Sequence, residues 1–225
     1  MERLLTKNSE IAICCILKKS KEYDEVYVEK LFSMIERNTT VPHNLICVSD
    51  TFIDYPNCSV IDYGDRYKVG WRWIKMRLFE KGMFNFKRVI YFDLDTIILS
   101  NIDDLLLLRS DFAALQLWSA VRRQKGEFGT GVMVWNNTND RYSFIADEFT
   151  EETPKQFVGN EPYISFLLPK HNKSIDALQD KMSGIYSYKR HCQQKLPKDA
   201  RVICFHGIPK PRDVKNLDWM KKHWK

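Results

Sequence analysis

The stretch "RVIYFDLDTIILSNIDDLL", residues 88–106, decides the fold. Val89 to Phe92 form a β-branched and aromatic run that reads as a buried strand. It ends in Asp93, and a second acid follows at Asp95 before another apolar run, Ile97 to Leu99, and the turn-like Ser100-Asn101. Side chains alternate faces along a strand, so both carboxylates are expected to point the same way. Two like charges on one face repel unless a cation lies between them, and a hard divalent metal is the natural oxygen-ligated candidate. An Asp-x-Asp triplet arises by chance in a chain of this composition. Its position gives it weight, because open α/β sheets gather ligands at the carboxyl ends of their strands.

Working outward, "EIAICCILKK" (10–19) reads as a buried first strand. Residues 24–38 place Tyr27, Leu31, Met34 and Ile35 on one helical face, with Asp24 and Glu25 suited to the first turn and Arg37 to the last. "HNLICVSD" (43–50) is a second strand ending in Asp50, and "CSVIDY" (58–63) a third. "GWRWIKMRLFEKG" (70–82) is helical, with Gly82 as its stop. Beyond the opening stretch, residues 111–118 and 131–137 are apolar strands, 140–150 and 159–168 favour helix, and "ARVICFHG" (200–207) is a last buried strand. No repeat or linker divides the 225 residues. Strand–helix alternation in the first half predicts an α/β fold with a parallel sheet, three layers deep, in one domain.

The bulk composition is that of an ordinary globular protein. No apolar run is long enough to cross a bilayer, and the N-terminal "MERLLTKNSE" carries acids where a signal core would be apolar. A cytoplasmic, soluble protein is expected. The six cysteines show neither zinc spacing nor a disulfide framework; four sit in apolar runs, while Cys58 and Cys192 stand among polar neighbours. The net charge of +6 belongs to the C-terminal segment: residues 187–225 hold 11 Lys or Arg against 3 Asp or Glu. That segment suits a phosphate-bearing ligand or, through "WMKKHWK", peripheral contact with an anionic membrane. No nucleic-acid motif accompanies it.

Asp50, the Asp93/Asp95 pair and His206 each close an apolar run, and residues that end separate strands can converge on one cleft. His206 opens "HGIPKPR", where Gly207 allows close backbone approach, Lys210 adds a phosphate-seeking cation and two prolines stiffen the loop. Two carboxylates, an imidazole and a lysine suit a metal-bound diphosphate, with mixed oxygen and nitrogen ligation fitting Mn2+ better than Mg2+, and zinc less well.

These residues resemble the metal-dependent glycosyltransferases of the GT-A fold, especially family 8, the glycogenin and bacterial galactosyltransferase group. The family's Asp-x-Asp falls at Asp93 and Asp95, and its following "ID-L" at Ile102 to Leu105. "GWRWIKMRLF" is similar to a helix that approaches the donor and points at Lys75; "FGTGVMVWN" matches at Gly131 and Asn136; "NEPYIS" resembles the acceptor-side acidic motif at Glu161; "HGIPKP" matches at His206 and Lys210. The matches run in family order from about residue 10 to 212. Gly129 stands where relatives often carry Asn, and the histidine-to-lysine spacing is more compact than usual.

The resemblance implies a Rossmann-like GT-A fold with a mixed, mostly parallel sheet. It implies transfer of a sugar from a nucleotide diphosphate, UDP foremost, to a glycan or other hydroxyl acceptor. Asp93, Asp95 and His206 would hold the metal. Asp50, Lys75, Asp93, Gly131, Gly207 and Lys210 would meet the donor. Lys75 and Glu161 would act in catalysis, Glu161 as a base or a positioning group. Trp71 and Trp73 are candidates to stack on a ring. Two rivals stand beside this reading. "VIYFDLDTI" also resembles the nucleophile motif of haloacid-dehalogenase-type phosphohydrolases, although some 90 residues precede it and no later acid pair follows. A non-catalytic nucleotide-sugar-binding module would keep the same cleft.

Overall fold

Both faces of the first strand are covered. In the computed structural model Ile13, Cys15 and Leu17 turn to one side of the sheet and Ala12 and Cys14 to the other, all fully buried. A strand with no solvent face carries no polar alternation, which is why its sequence reads as one apolar run. The structure describes residues 9–64 and 70–225, without the Trp71 side chain. The segment before Ser9 and the Trp71 ring, read above for targeting and stacking, lie outside the described residues.

The strands are β1 (Ile11–Leu17), β2 (Asn44–Ser49), β3 (Cys58–Ile61), β4 (Arg88–Phe92), β5 (Thr96–Ile98), β6 (Phe112–Gln116), β7 (Phe128–Asn136), β8 (Asp176–Ala177), β9 (Ile185–Ser187) and β10 (Val202–Cys204). The α-helices are α1 (Glu25–Arg37), α2 (Asp103–Leu106), α3 (Ala120–Gln124), α4 (Phe144–Asp147), α5 (Thr153–Gln156), α6 (Asn160–Lys170), α7 (Leu178–Lys181) and α8 (Asp218–His223). Seven strands form the main sheet in the order β3-β2-β1-β4-β7-β6-β8. β7 runs antiparallel to β4 and β6, and the other neighbours pair in parallel. The expected α/β, Rossmann-like architecture with a mixed, mostly parallel sheet is present.

α1 covers one face through Val28, Leu31, Phe32 and Ile35. A fully buried side chain of this size contributes about 1.5–3 kcal/mol, and Leu31→Ala is expected to cost about 2–5 kcal/mol with its cavity. The opposite face is covered by α6 and by a 3-10 helix, Trp71–Phe79. The helix expected there is present, in 3-10 form. The buried Trp73, Met76 and Phe79 recur every third residue, the period that a 3-10 helix brings onto one ridge. Trp73 packs against Phe149 and Tyr163, with centroids 5.4 and 6.0 Å away, so its ring is part of the core rather than free to stack on a ligand.

The structure adds three further features. The last strand, β10, leaves the main sheet and pairs with β5 and β9 in a separate three-stranded sheet. Cys58 and Cys192 are buried like the other four cysteines, and all six are free. In the tail, Trp224 is buried against Tyr27, and its carbonyl accepts from Lys30 while Arg37 donates to the carbonyls of His223 and Lys225. That ring is packed on α1 rather than presented outward. No helix among the described residues is long and apolar enough to cross a membrane.

Candidate functional site

β4 stops at Phe92. Asp93 to Asp95 form a turn, closed by the Thr96 amide donating to the Asp93 carbonyl at 3.1 Å. The turn is fixed on both sides: the Asp93 amide donates to Gly131 O at 2.7 Å, and the Phe205 amide donates to Asp95 O at 3.1 Å. The period-2 alternation that would put both carboxylates on one face therefore ends one residue before the first of them. Asp93 takes its partners from the side of the 3-10 helix, and Asp95 from the side of α1.

Asp93 Oδ1 accepts from the Tyr91 hydroxyl at 2.6 Å and lies 2.9 Å from Lys75 Nζ. Lys75 is 8 % exposed. Its ammonium also donates to Thr130 O and Oγ1 at 3.0 and 3.1 Å and stands 4.9 Å from the Tyr91 ring centroid. A buried lysine needs such a full set of acceptors. Gly131 faces the same carboxylate: a Cβ there would sit 3.2 Å from Asp93 Oδ2.

Asp95 is 6 % exposed. It accepts from the Tyr23 hydroxyl at 2.6 Å and pairs with Lys210 Nζ at 2.8 Å; Lys210 also donates to Tyr23. Burial and the neighbouring Asp93 charge raise its pKa, against the opposing pull of Lys210 and Tyr23. The cations that balance the two acids are thus two lysines, from segments far apart in the chain.

His206 lies two residues beyond β10. Its Nε2 meets the fully buried Ser187 Oγ at 2.7 Å, and its ring stacks on Trp118, 5.8 Å between centroids and 14° between planes. Burial, followed by the charges of Lys189 and Arg190, pushes the imidazole below its usual pKa. Among the described residues no three His, Cys, Asp or Glu side chains group closely enough to hold a metal ion. Asp93, Asp95 and His206, the metal ligands expected from the sequence, are not gathered into such a group: the carboxylates carry lysine and tyrosine contacts on Asp93 Oδ1 and Asp95 Oδ2, and His206 Nε2 meets Ser187.

Glu161 sits in the first turn of α6. Its Oε2 pairs with Arg122 at 2.8 Å and its Oε1 accepts from the Thr130 amide at 3.4 Å; Arg122 also holds Glu127 at 2.7 Å. Thr130 Oγ1 donates to Asn160 Oδ1 at 2.5 Å. Asp93, Lys75, Thr130, Asn160 and Glu161 therefore belong to one polar network. Asp50 is exposed at the end of β2 and accepts from the buried Tyr63 hydroxyl. Gly207 is exposed, with φ +69°, the left-handed region that glycine enters freely.

The sequence reading missed Tyr23, Thr130, Arg122, Ser187 and Trp118. Only Thr130, between Gly129 and Gly131 in "FGTGVMVWN", lies in a quoted motif; the other four carried no local hint.

No family model and no curated protein matches this sequence. Among solved structures, the chain is similar to the glycosyltransferase GlyE of Streptococcus pneumoniae TIGR4, with a TM-score of 0.62 and 14 % identity over 94 % of this chain. The chain spans 62 % of that structure's length. At this identity the likeness establishes a shared fold: a Rossmann-like α/β architecture of the kind a glycosyltransferase uses.

Proposed function

We propose that this chain is a glycosyltransferase that moves a sugar from a nucleotide diphosphate, UDP foremost, to a hydroxyl of a glycan or other acceptor. One observation carries the reading: each carboxylate of the Asp93–Asp95 turn is met by a lysine at the carboxyl end of β4. The fold shared with a glycosyltransferase supports it.

In this reading Gly131 and Gly207 leave room for the donor, and Asp50 faces the nucleoside. Lys75 and Lys210 supply positive charge where the departing diphosphate gains negative charge, the point at which preorganised cations lower a barrier most. Glu161, oriented by Arg122 and the Thr130 amide, meets the acceptor hydroxyl as a base if the reaction inverts and as a positioning group if it retains. A divalent cation, Mn2+ or Mg2+, remains part of the proposal, with Asp93, Asp95 and His206 as the residues that would hold it; the lysines lie on Asp93 Oδ1 and Asp95 Oδ2 and leave the second oxygen of each carboxylate without a side-chain partner among the described residues.

Calorimetric titration of UDP, with manganese and again with chelator, tests the reading. UDP binding followed by sugar release or transfer from a UDP-sugar supports it. Binding without turnover across a broad acceptor panel favours a binding module. A trapped aspartyl-phosphate at Asp93 would replace it with the phosphohydrolase.

A further inference from the structure

Three carboxylates line the candidate site, and each is already matched: Asp93 by Lys75, Asp95 by Lys210 and Glu161 by Arg122. Beside them the π-helical turn Tyr188–Cys192 brings two more cations, Lys189 and Arg190. Neither forms an ion pair among the described residues. Lys189 reaches the Gly207 loop, where a Cβ on Gly207 would sit 3.1 Å from Lys189 Nζ. The missing side chain is what gives that ammonium its place.

The loop itself has donors to spare. Among the described residues the amides of His206, Gly207 and Ile208 have no hydrogen-bond partner, and all three residues are exposed. Successive free amides around a left-handed residue form a concavity that favours anions. Lys189 reaches that loop, and the charges of both Lys189 and Arg190 act on His206; such a surplus of positive charge beside free amides has one electrostatic complement, a compact multiply charged anion. Ser187 fixes the geometry from beneath, since its buried Oγ accepts from the Arg190 amide at 3.3 Å and also meets His206.

We propose that Lys189, Arg190 and the amides of residues 206–208 form a second anion site at the rim, and that it takes a phosphate or diphosphate group. The site rests on the glycosyl-transfer reading only for the molecule that carries the group: the donor's own diphosphate, or a phosphate on the acceptor. Nothing in the motif reading pointed to either residue.

The test is calorimetric titration of inorganic pyrophosphate, and separately of UDP, into the wild type, Lys189→Met/Arg190→Met and the charge-keeping Lys189→Arg. Thermal melting checks that each variant folds; Arg190→Ala alone serves if the double variant does not. Pyrophosphate affinity is expected to fall about tenfold or more in the charge-removing variant, about 1.4 kcal/mol, and to survive in Lys189→Arg. If UDP weakens in parallel, the anion is the donor's diphosphate. If UDP holds while pyrophosphate weakens, the site serves a second, acceptor-borne phosphate. Equal pyrophosphate affinity in all variants, or none in the wild type, overturns the site. UDP binding that persists in that case leaves the glycosyl-transfer reading standing. Pyrophosphate binding that depends on Lys189 and Arg190, with no UDP binding at all, upholds the site and removes that reading instead.

Discussion

Lys210 and Asp95, 115 residues apart in the chain, meet at 2.8 Å with the Tyr23 hydroxyl shared between them. The lysine is nearly buried, and Asp95 has little water to turn to if it leaves. Lys210→Met is therefore expected to destabilise the fold by about 3–5 kcal/mol, the cost of stranding a buried charge. The paired variant Lys210→Met/Asp95→Asn should recover part of that loss. Chemical denaturation of the two variants reads the difference, and equal stabilities would show that a stranded Asp95 charge is not the source of the loss.

Asp95→Asn alone bears on the metal. It keeps the shape and one acceptor oxygen for Tyr23 while removing the charge. If a divalent cation joins the site, UDP affinity in manganese should drop about tenfold or more, towards the value measured with chelator. An unchanged manganese dependence would assign any metal effect to other groups.

Lys75→Met should abolish catalysis more thoroughly than it weakens folding. It removes the ammonium shared by Asp93 and Thr130, so turnover of a UDP-sugar is expected to fall by about 100-fold or more. A loss of melting temperature with turnover per folded molecule unchanged would reduce Lys75 to a structural strut.

Glu161→Gln separates acceptor from donor. The amide can still accept from the Thr130 N–H but can neither take a proton nor pair with Arg122 as a carboxylate. Transfer is expected to slow by about 100- to 10,000-fold if Glu161 is the base, with UDP affinity unchanged. A matched loss in both would place Glu161 on the donor side.

Asp103 makes the pH prediction. Burial pushes its carboxyl up, but hydrogen bonds from the Asn101 and Thr40 side chains and from the Thr40 and Val41 amides outweigh it and hold the pKa at about 2. A folded pKa below the unfolded one stabilises above the unfolded value, near 4, and that stability is lost as pH falls toward 2. Asp103→Ala should cost about 1–2 kcal/mol at neutral pH and progressively less below pH 4. A mutational loss constant from pH 7 to 2.5 would contradict the assignment.

Asp103 also shows how the sequence was legible. The "ID-L" pattern drew notice as a family signature, and the structure gives its physical content. Ile102 and Leu105 are core residues, and Asp103 ties α2 to the end of α1. Strands such as β1 and β2 were readable because burial on both faces leaves an uninterrupted apolar run. Asp93 and Asp95 were readable as candidates because charge at the end of such a run is conspicuous, Lys210 because it follows His206 in a proline-stiffened loop, and Lys75 and Glu161 only through the resemblance of their motifs to family 8. Which lysine would meet which aspartate was not. Tyr23 lies in a loop 72 residues from Asp95, and nothing local reports a partner so distant. The move of β10 into a second sheet was hidden for the same reason, since an apolar run does not name its neighbour.

That second sheet gives the Asp93–Asp95 turn two landlords. The Asp93 amide is tied to β7 in the main sheet, and the Asp95 carbonyl is tied to the chain leaving β10 in the smaller one. The turn, closed on itself by the Thr96 amide, is therefore the hem that stitches the two sheets together, with one carboxylate on either side of the seam.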